Sequence, residues 1–288
     1  MDTTEAYQTY KPLLFSLAYR MLGSVMDAED IVHEAFLVLG EVEDETKIMN
    51  SKAYLCKIVT NRCIDKLRSA AKQREVYVGP WLPEPIVDDH LDDPSISLEK
   101  KESISTAYLL LLQQLTEVER AVFLLREVFQ YDYDDIASMV GKSSTNCRQI
   151  FHRAKKGIMD KRDSVKPNEG HTKPYIEKFA QAVLDGNIEL VQAMLKKDAV
   201  FYTDGGGKVT AALRPIVSSD HITRFLFGII PRLPQNASYH FKNVNGSPGI
   251  IIIIDGTVNY AMSFDVNDGK IDHIYMVSNP DKLKHLNQ

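Results

Sequence analysis

Apolar residues in the first half of the chain recur at helical spacing; in the last third they run as strands do. Tyr10, Leu13, Leu14, Leu17 and Met21 form one helical stripe that Gly23-Ser24 closes. A second helix begins near Asp27, with Ile31, Ala35, Val38 and Leu39 turned inward and Glu29, Asp30, His33 and Glu34 outside or at the edge. A charged loop from Glu41 to Asn50 leads to a third helix, for which Ser51 is a suitable cap. Leu55, Ile58, Val59, Cys63 and Leu67 make its core face, and Lys57, Asn61, Asp65, Arg68 and Lys72 its polar side. Pro80, Pro83, Pro85 and Pro94 then forbid continuous helix, and Asp88, Asp89, Asp92 and Asp93 make the end of that segment acidic. It nevertheless holds the sole tryptophan, Trp81, beside Leu82 in GPWLPEP, an apolar cluster suited to docking rather than to spacing alone. Helical spacing resumes over residues 99–162, where Thr116 and Glu119 have capping-box separation and Val118, Val122, Leu125 and Phe129 share a face.

The stretch Asp132 to Ile158 predicts a helix-turn-helix. Ile136, Ala137 and Val140 fit one face of a short helix, Gly141 suits its left-handed stop, and Ser143 or Ser144 can cap the next. In that second helix Cys147, Ile150, Phe151, Ala154 and Ile158 form the inward stripe. Thr145, Asn146, Arg148, Gln149, His152, Arg153, Lys155 and Lys156 face out, with no carboxylate until Asp160. Arg, Asn and Gln near a helix N-terminus read base edges, and lysines further along suit phosphates. A solvated basic helix has the same composition, so turn geometry and the missing acids carry the DNA-binding reading.

After a joint at Lys166–Gly170 the pattern becomes α+β. Helices are predicted over Pro174–Asp185 and Ile188–Lys197. Strands are predicted at Ala199–Thr203, Lys208–Ala211, Ala237–Val244, Gly249–Ile254, Thr257–Asp265 and Lys270–Val277. Glycine-rich turns separate several of them, at Asp204–Gly207, Asn245-Gly246, Asp255-Gly256 and Asn267–Gly269. Helices followed by a meander suggest a curved antiparallel sheet wrapped on a helix, a cone with a pocket at its mouth.

A length of 288 residues allows two or three domains, and a net charge of −5 confines any DNA contact to local patches. No apolar run is long enough for a bilayer span, so no membrane partner is expected and the cytoplasm is the expected location. Cys56 and Cys63 stand two helical turns apart, about 10 Å, beyond disulfide reach; with Cys147 they read as buried thiols. No metal site and no cofactor is expected.

Two helical modules on a proline-rich joint, the second ending in a helix-turn-helix, resemble an extracytoplasmic-function RNA polymerase sigma factor. DAEDIVHEAFL is similar to the region-two helix that docks on the clamp of core RNA polymerase, which would give Asp27, Glu29, Asp30 and Glu34 that contact. SKAYLCKIVTNRCIDKLRS resembles the helix that engages the −10 element, with Asn61, Arg62, Asp65 and Arg68 at the matching positions. Lys47 and Asn50 sit where that family builds a pocket for a flipped base. LTEVERAVFLLREVFQYDYDDIASMVGKSSTNCRQIFHRAKKGI resembles region four, which implies −35 contacts from Ser144, Thr145, Asn146, Arg148, Gln149, His152, Arg153 and Lys156. The tail looks like a SnoaL-like domain, carried by one subgroup of this family in which three short motifs recur. All three are intact, as WLPEP (Trp81, Leu82, Pro83, Glu84, Pro85), DGGGK (Asp204, Gly205, Gly206, Gly207, Lys208) and NPDKL (Asn279, Pro280, Asp281, Lys282, Leu283), and an interdomain regulatory role is expected of them. The turn at Asp204–Lys208, read as exposed, and Asn279–Leu283 would touch the helical modules or the Trp81 linker and so fix the distance between the DNA-reading modules.

The resemblance implies region two at residues 5–74, a linker at 75–98, region four at 99–165 and a regulatory SnoaL-like domain at 172–288. It implies core RNA polymerase, through clamp and flap, and promoter DNA as partners, with no separate anti-sigma factor required; a small-molecule ligand in the C-terminal pocket is left open. Asp204, His221, His240 and Asp265, with Tyr202 as donor, are the titratable residues a catalytic tail would use. Their spacing picks out no pair, so no enzymatic activity is expected. The competing reading is a one-component, ligand-sensing transcription regulator, which needs neither the acidic Asp27–Glu34 helix nor the Asn61–Arg68 stripe.

Overall fold

A computed structural model of the chain describes residues 3–42, 50–88, 105–162 and 172–287. The chain divides into two compact units, residues 1–76 with 109–163 and residues 77–108 with 164–288. The first is helical: α1 (Thr3–Leu22), α2 (Val25–Gly40), α3 (Ser51–Glu75), most of α4 (Thr106–Leu112), α5 (Glu117–Glu127), α6 (Tyr133–Val140) and α7 (Ser144–Arg162). Gly23 ends α1 in the left-handed region, φ +70°, and the Ser24 hydroxyl accepts the Asp27 N–H to start α2. Asn50, rather than Ser51, caps α3: its side-chain oxygen accepts the Ala53 N–H at 3.0 Å, and Ser51 is the first helical residue. Leu14, Leu17, Met21, Leu55, Val59 and Cys63 are buried among these three helices.

The capping box of α5 forms as its sequence predicts, Thr116 and Glu119 each accepting the other's backbone N–H. The buried Arg120 of α5 donates to the carbonyl of Met21 at the end of α1, which ties the two halves of this unit together. Tyr131 adds a second tie, its hydroxyl donating to Cys56 Sγ of α3 at 3.2 Å. All three cysteines are buried and free, and burial pushes the Cys63 thiol far above its ordinary range.

The second unit is a sheet with helices on one face. It adds β1 (Val87–Asp88), α8 (Thr172–Leu184), α9 (Ile188–Met194), β2 (Leu195–Asp204), β3 (Ile216–Val217), α10 (Ser219–Ile229), β4 (Ser238–Val244), β5 (Ser247–Ile254), β6 (Thr257–Asn267), β7 (Lys270–Val277) and α11 (Pro280–Leu283). Strand order is β1-β4-β5-β6-β7-β2-β3; all pairs are antiparallel except β2 with β7, which is parallel. Ile176 and Phe179 of α8, Val191 of α9 and Ile222 and Leu226 of α10 pack on Phe201, Ile250, Met262, Phe264 and Ile274 of the sheet. Among the described residues, no helix is long and apolar enough to cross a membrane.

Three local expectations fail. The helix expected to reach Lys197 stops at Met194, because Leu195 already pairs with Ile271 and the chain continues as β2. Lys208–Ala211 forms no strand: the edge of β2 is taken by Ile216–Val217, and Ala212 instead donates its N–H to the Thr203 hydroxyl. Residues 219–229, read as neither helix nor strand, form α10, capped by Ser218.

Candidate functional site

The WLPEP segment lies within the second unit, where a single carboxylate organises it. Asp204 ends β2, is fully buried, and accepts four hydrogen bonds: Tyr77 hydroxyl at 2.5 Å and Gly206 N–H at 3.1 Å on one oxygen, Leu82 N–H at 2.8 Å and Lys282 Nζ at 2.7 Å on the other. That fills the acceptor capacity of a carboxylate, which burial requires. The Asp204 carbonyl in turn accepts the N–H groups of Ser278 and Asn279, both at 2.8 Å, and so brings α11 to the same place.

Lys282 is the counterpart cation, only 6% exposed. Besides Asp204 it donates to the Leu82 carbonyl, and its ammonium stands 3.8 Å from the Trp81 ring centroid and 5.1 Å from that of Tyr77. The backbone of Leu82 is therefore held at both ends, N–H by the anion and C=O by the cation. Burial raises the Tyr77 phenol above its ordinary range, which keeps it a donor.

Local sequence explains how the three motifs can meet. Gly206 has φ +58°, and a Cβ there would lie 2.1 Å from the Asn279 amide nitrogen; a Cβ on Gly207, φ +70°, would press on Val78 at 3.1 Å. The glycine run lets backbone approach side chains where no other residue fits. Lys208, at the exposed end of the turn, pairs with Asp281, whose carboxyl Lys208 and then Lys284 hold below the usual range.

The rest of the linker is fixed by residues to which the sequence assigned no contact with it. The His285 ring bonds the Pro85 carbonyl at 2.8 Å. Asn245, in the left-handed turn between β4 and β5, exchanges bonds with Ile86: its side-chain oxygen accepts the Ile86 N–H at 2.7 Å, and its own N–H donates to Ile86 O at 2.8 Å. Its amide nitrogen reaches Thr106, which also bonds Ser263 of β6 at 2.9 Å. β1 then pairs with β4, Val87 opposite Val244, and covers an edge that would otherwise be open. Asn-Gly was legible as a hairpin signal; its second use as a linker clamp left no trace in spacing.

In the first unit, the outer face of α7 carries Thr145, Asn146, Arg148, Gln149, His152, Arg153 and Lys156, all exposed, with Ser144 half-buried; Ser143 is the cap, its hydroxyl accepting the Asn146 N–H. The inward residues Cys147, Ile150, Phe151, Ala154 and Ile158 are buried. Gly141 stops α6 with φ +65°. The Arg148 guanidinium lies 5.3 Å from the Tyr133 ring centroid, which orients it, and Lys155 is drawn to Glu127 at 2.9 Å.

Asn61, Arg62, Asp65 and Arg68 are exposed on α3, and Glu29, Asp30 and Glu34 on α2, with Asp27 half-buried. The two sets share ion pairs, Lys66–Asp27 at 2.8 Å and Arg62–Glu34 at 3.6 Å. Arg68 pairs with Asp65 at 3.7 Å and with Glu117, at the start of α5, at 3.1 Å. Asn50 caps α3 as described, and Lys47 lies outside the described residues.

The titratable residues of the tail lie at separate places in the second unit. Tyr202 and Asp265 alternate with the core residues Phe201 and Phe264 and lie on the opposite sheet face, with His273 and Tyr275. The Tyr275 hydroxyl donates to Asp265 at 2.9 Å, His273 stands 3.9 Å away, and burial pushes the Asp265 carboxyl up to about 6. His221 bonds the Val217 carbonyl beside the α10 cap, and His240 is exposed on β4.

Residues 6–73 match the family model Sigma-70 region 2, and residues 105–157 match Sigma-70, region 4. The chain is 32% identical to the ECF RNA polymerase sigma factor SigJ of Mycobacterium tuberculosis, over 98% of this chain and 93% of that protein. It is 25% identical to the probable ECF RNA polymerase sigma factor SigI of the same organism, over 98% of this chain and 94% of the relative. The crystal structure of M. tuberculosis SigJ superposes with a TM-score of 0.77 at 27% identity, covering 98% of each chain.

Proposed function

The chain belongs to the ECF RNA polymerase sigma factors, and on that premise we propose that its two helical readers act on a promoter under the control of its own C-terminal domain. As an alternative sigma factor it works with core RNA polymerase and promoter DNA; full-length likeness to sigma factors sets aside the one-component regulator. In this reading the exposed face of α7 enters the major groove of the −35 element, Arg148 and Gln149 meeting base edges and Arg153 and Lys156 phosphates. Asn61, Arg62 and Arg68 on α3 engage the opened −10 strand, with Lys47 and Asn50 beside the flipped base. The acidic face of α2 docks on the polymerase clamp, and the region-four module on the flap.

The arrangement in the first unit supports a resting state. Arg68 is engaged by Glu117, so an α3 side chain assigned to DNA is occupied by the module assigned to the −35 element. That pair is exposed and weak, worth ~0–1 kcal/mol, which suits a contact that DNA must displace.

The regulatory proposal rests on one observation, the two-ended grip of Asp204 and Lys282 on the Leu82 backbone. A linker clamped at Leu82 and stitched along β4 has a fixed effective length, so the second unit governs how far apart the two readers can move. No separate anti-sigma protein is needed for that control. The test is transcription in vitro with purified core polymerase from a promoter this factor serves, comparing the wild-type chain with Lys282→Met. A changed initiation rate at equal occupancy of core supports the reading; equal rates and equal promoter spacing preference refute it.

A further inference from the structure

The second unit contains a cavity of about 300 Å³ between its helices and the inner face of the sheet. Its wall includes Phe179 and Val183 of α8, Leu226 of α10, Ile250 of β5, and Met262 and Phe264 of β6. Among the residues that line it there is no carboxylate, lysine, arginine or histidine; the polar side chains are Ser238 and Tyr239. Tyr239 and Leu184 are 44% and 45% exposed, so the mouth is on their side. Protein interiors leave few voids larger than a water molecule, and an apolar void of several water volumes stays dry and admits apolar guests. A volume near 300 Å³ lies at the small end of ligand sites, too small for a docked helix.

We propose that this cavity is a receptor site for a neutral, mainly apolar small molecule, with a single hydroxyl or carbonyl near Ser238 and Tyr239, whose binding is felt by the linker. A charge carried into the cavity is excluded because the wall offers no counter-ion and burying an unpaired charge is far costlier than the apolar gain. The route to the linker is one strand: on β6, Met262 and Phe264 face the cavity, and Ser263 between them faces the other way and bonds Thr106. A guest that shifts Met262 and Phe264 moves Ser263 with them, and so bears on the Thr106–Asn245–Ile86 contacts that hold the linker to the sheet.

The regulatory half of this proposal rests on linker capture as the control device; the binding half does not. Binding is measured on the full chain with N-phenyl-1-naphthylamine, a neutral apolar fluorophore, then by displacement with 1-decanol and with decanoate. Saturable enhancement, displaced at least tenfold better by the alcohol, is expected. Ala237→Trp and Ala180→Leu, which fill the mouth and the wall, should abolish it while circular dichroism and melting temperature stay unchanged. No saturable binding, equal displacement by the carboxylate, or binding that survives both fillings overturns the site, as does finding the cavity filled by another segment of this chain. The coupling is read with the non-fluorescent alcohol, by Trp81 emission and by transcription: a shift in both, lost in Ala180→Leu, which adds no second tryptophan, supports it. Binding without either shift overturns the coupling. If Lys282→Met also leaves transcription unchanged, it is linker capture that has failed; if that variant alters transcription and the alcohol does not, only the coupling falls.

Discussion

Replacing Lys282 by Met keeps an unbranched apolar stem and removes only the charge. With it go the 2.7 Å bond to Asp204, the bond to the Leu82 carbonyl, and the cation 3.8 Å from the Trp81 ring centroid and 5.1 Å from that of Tyr77. A hydrogen bond to a charged group contributes ~1.5–3 kcal/mol and a desolvated cation–π contact about 2 kcal/mol. Removing one partner of a buried ion pair costs about 3–5 kcal/mol, since the other charge is left behind. Here Asp204 keeps the Tyr77, Leu82 and Gly206 donors, which places the expected loss near the lower end, about 3 kcal/mol. At about 1.4 kcal/mol per decade, that is roughly a 100-fold shift toward a released linker. Trp81 is the only tryptophan, so its emission reports the release directly. Hydrogen exchange at the Leu82 amide should lose protection by about the same factor, provided opening is local. In a double-mutant cycle with Asp204→Asn, the coupling should exceed about 1 kcal/mol, as residues in direct contact do. Unchanged Trp81 emission together with unchanged Leu82 exchange would show that the pair does not hold the linker, and the reasoning would fail.

Other consequences are open to measurement. Gly206→Ala should lower thermal stability more than Gly186→Ala, which has φ +72° but no neighbour within 4 Å; the second should cost only about 1 kcal/mol of backbone strain. The Asp265 carboxyl has a folded pKa raised to about 6, so its stabilising contribution is complete below the unfolded value and is lost as pH rises through 6. Asp265→Asn should remove that slope, gaining roughly 2–3 kcal/mol relative to wild type between pH 4 and 7.5; parallel urea-denaturation profiles would count against it. Arg148→Ala and Gln149→Ala should each weaken recognition of the −35 element by about 1–3 kcal/mol, read as discrimination between wild-type and substituted promoters in transcription. Uniform weakening across promoters would instead mark these residues as phosphate contacts.

The helical half was legible because its information is local. Apolar spacing, Gly141, the Thr116–Glu119 box and the carboxylate-free face of α7 each act within a few turns, and each forms as read. Ser51 was displaced as a cap because Asn50, one residue earlier, presents a side-chain oxygen at the right point of the turn. The tail was harder. Leu195 left its helix for a parallel pairing with β7, whereas α10 carried a local signal that the strand pattern around it obscured, Ile222, Phe225, Leu226 and Ile229 at helical spacing behind the Ser218 cap.

The sequence by itself determined the helix-turn-helix, the family and the three motifs that mark the linker and tail. Only the tertiary structure decided that the two tail motifs close on the linker, and through which atoms. Residues 82, 204 and 282 are far apart in the chain, and nothing in their spacing indicates that one carboxylate and one ammonium close on a single backbone unit. A buried charge is tolerated only when its partners are all in place. That condition belongs to the folded ensemble of Tyr77, Leu82, Gly206 and Lys282 around Asp204, not to any one segment.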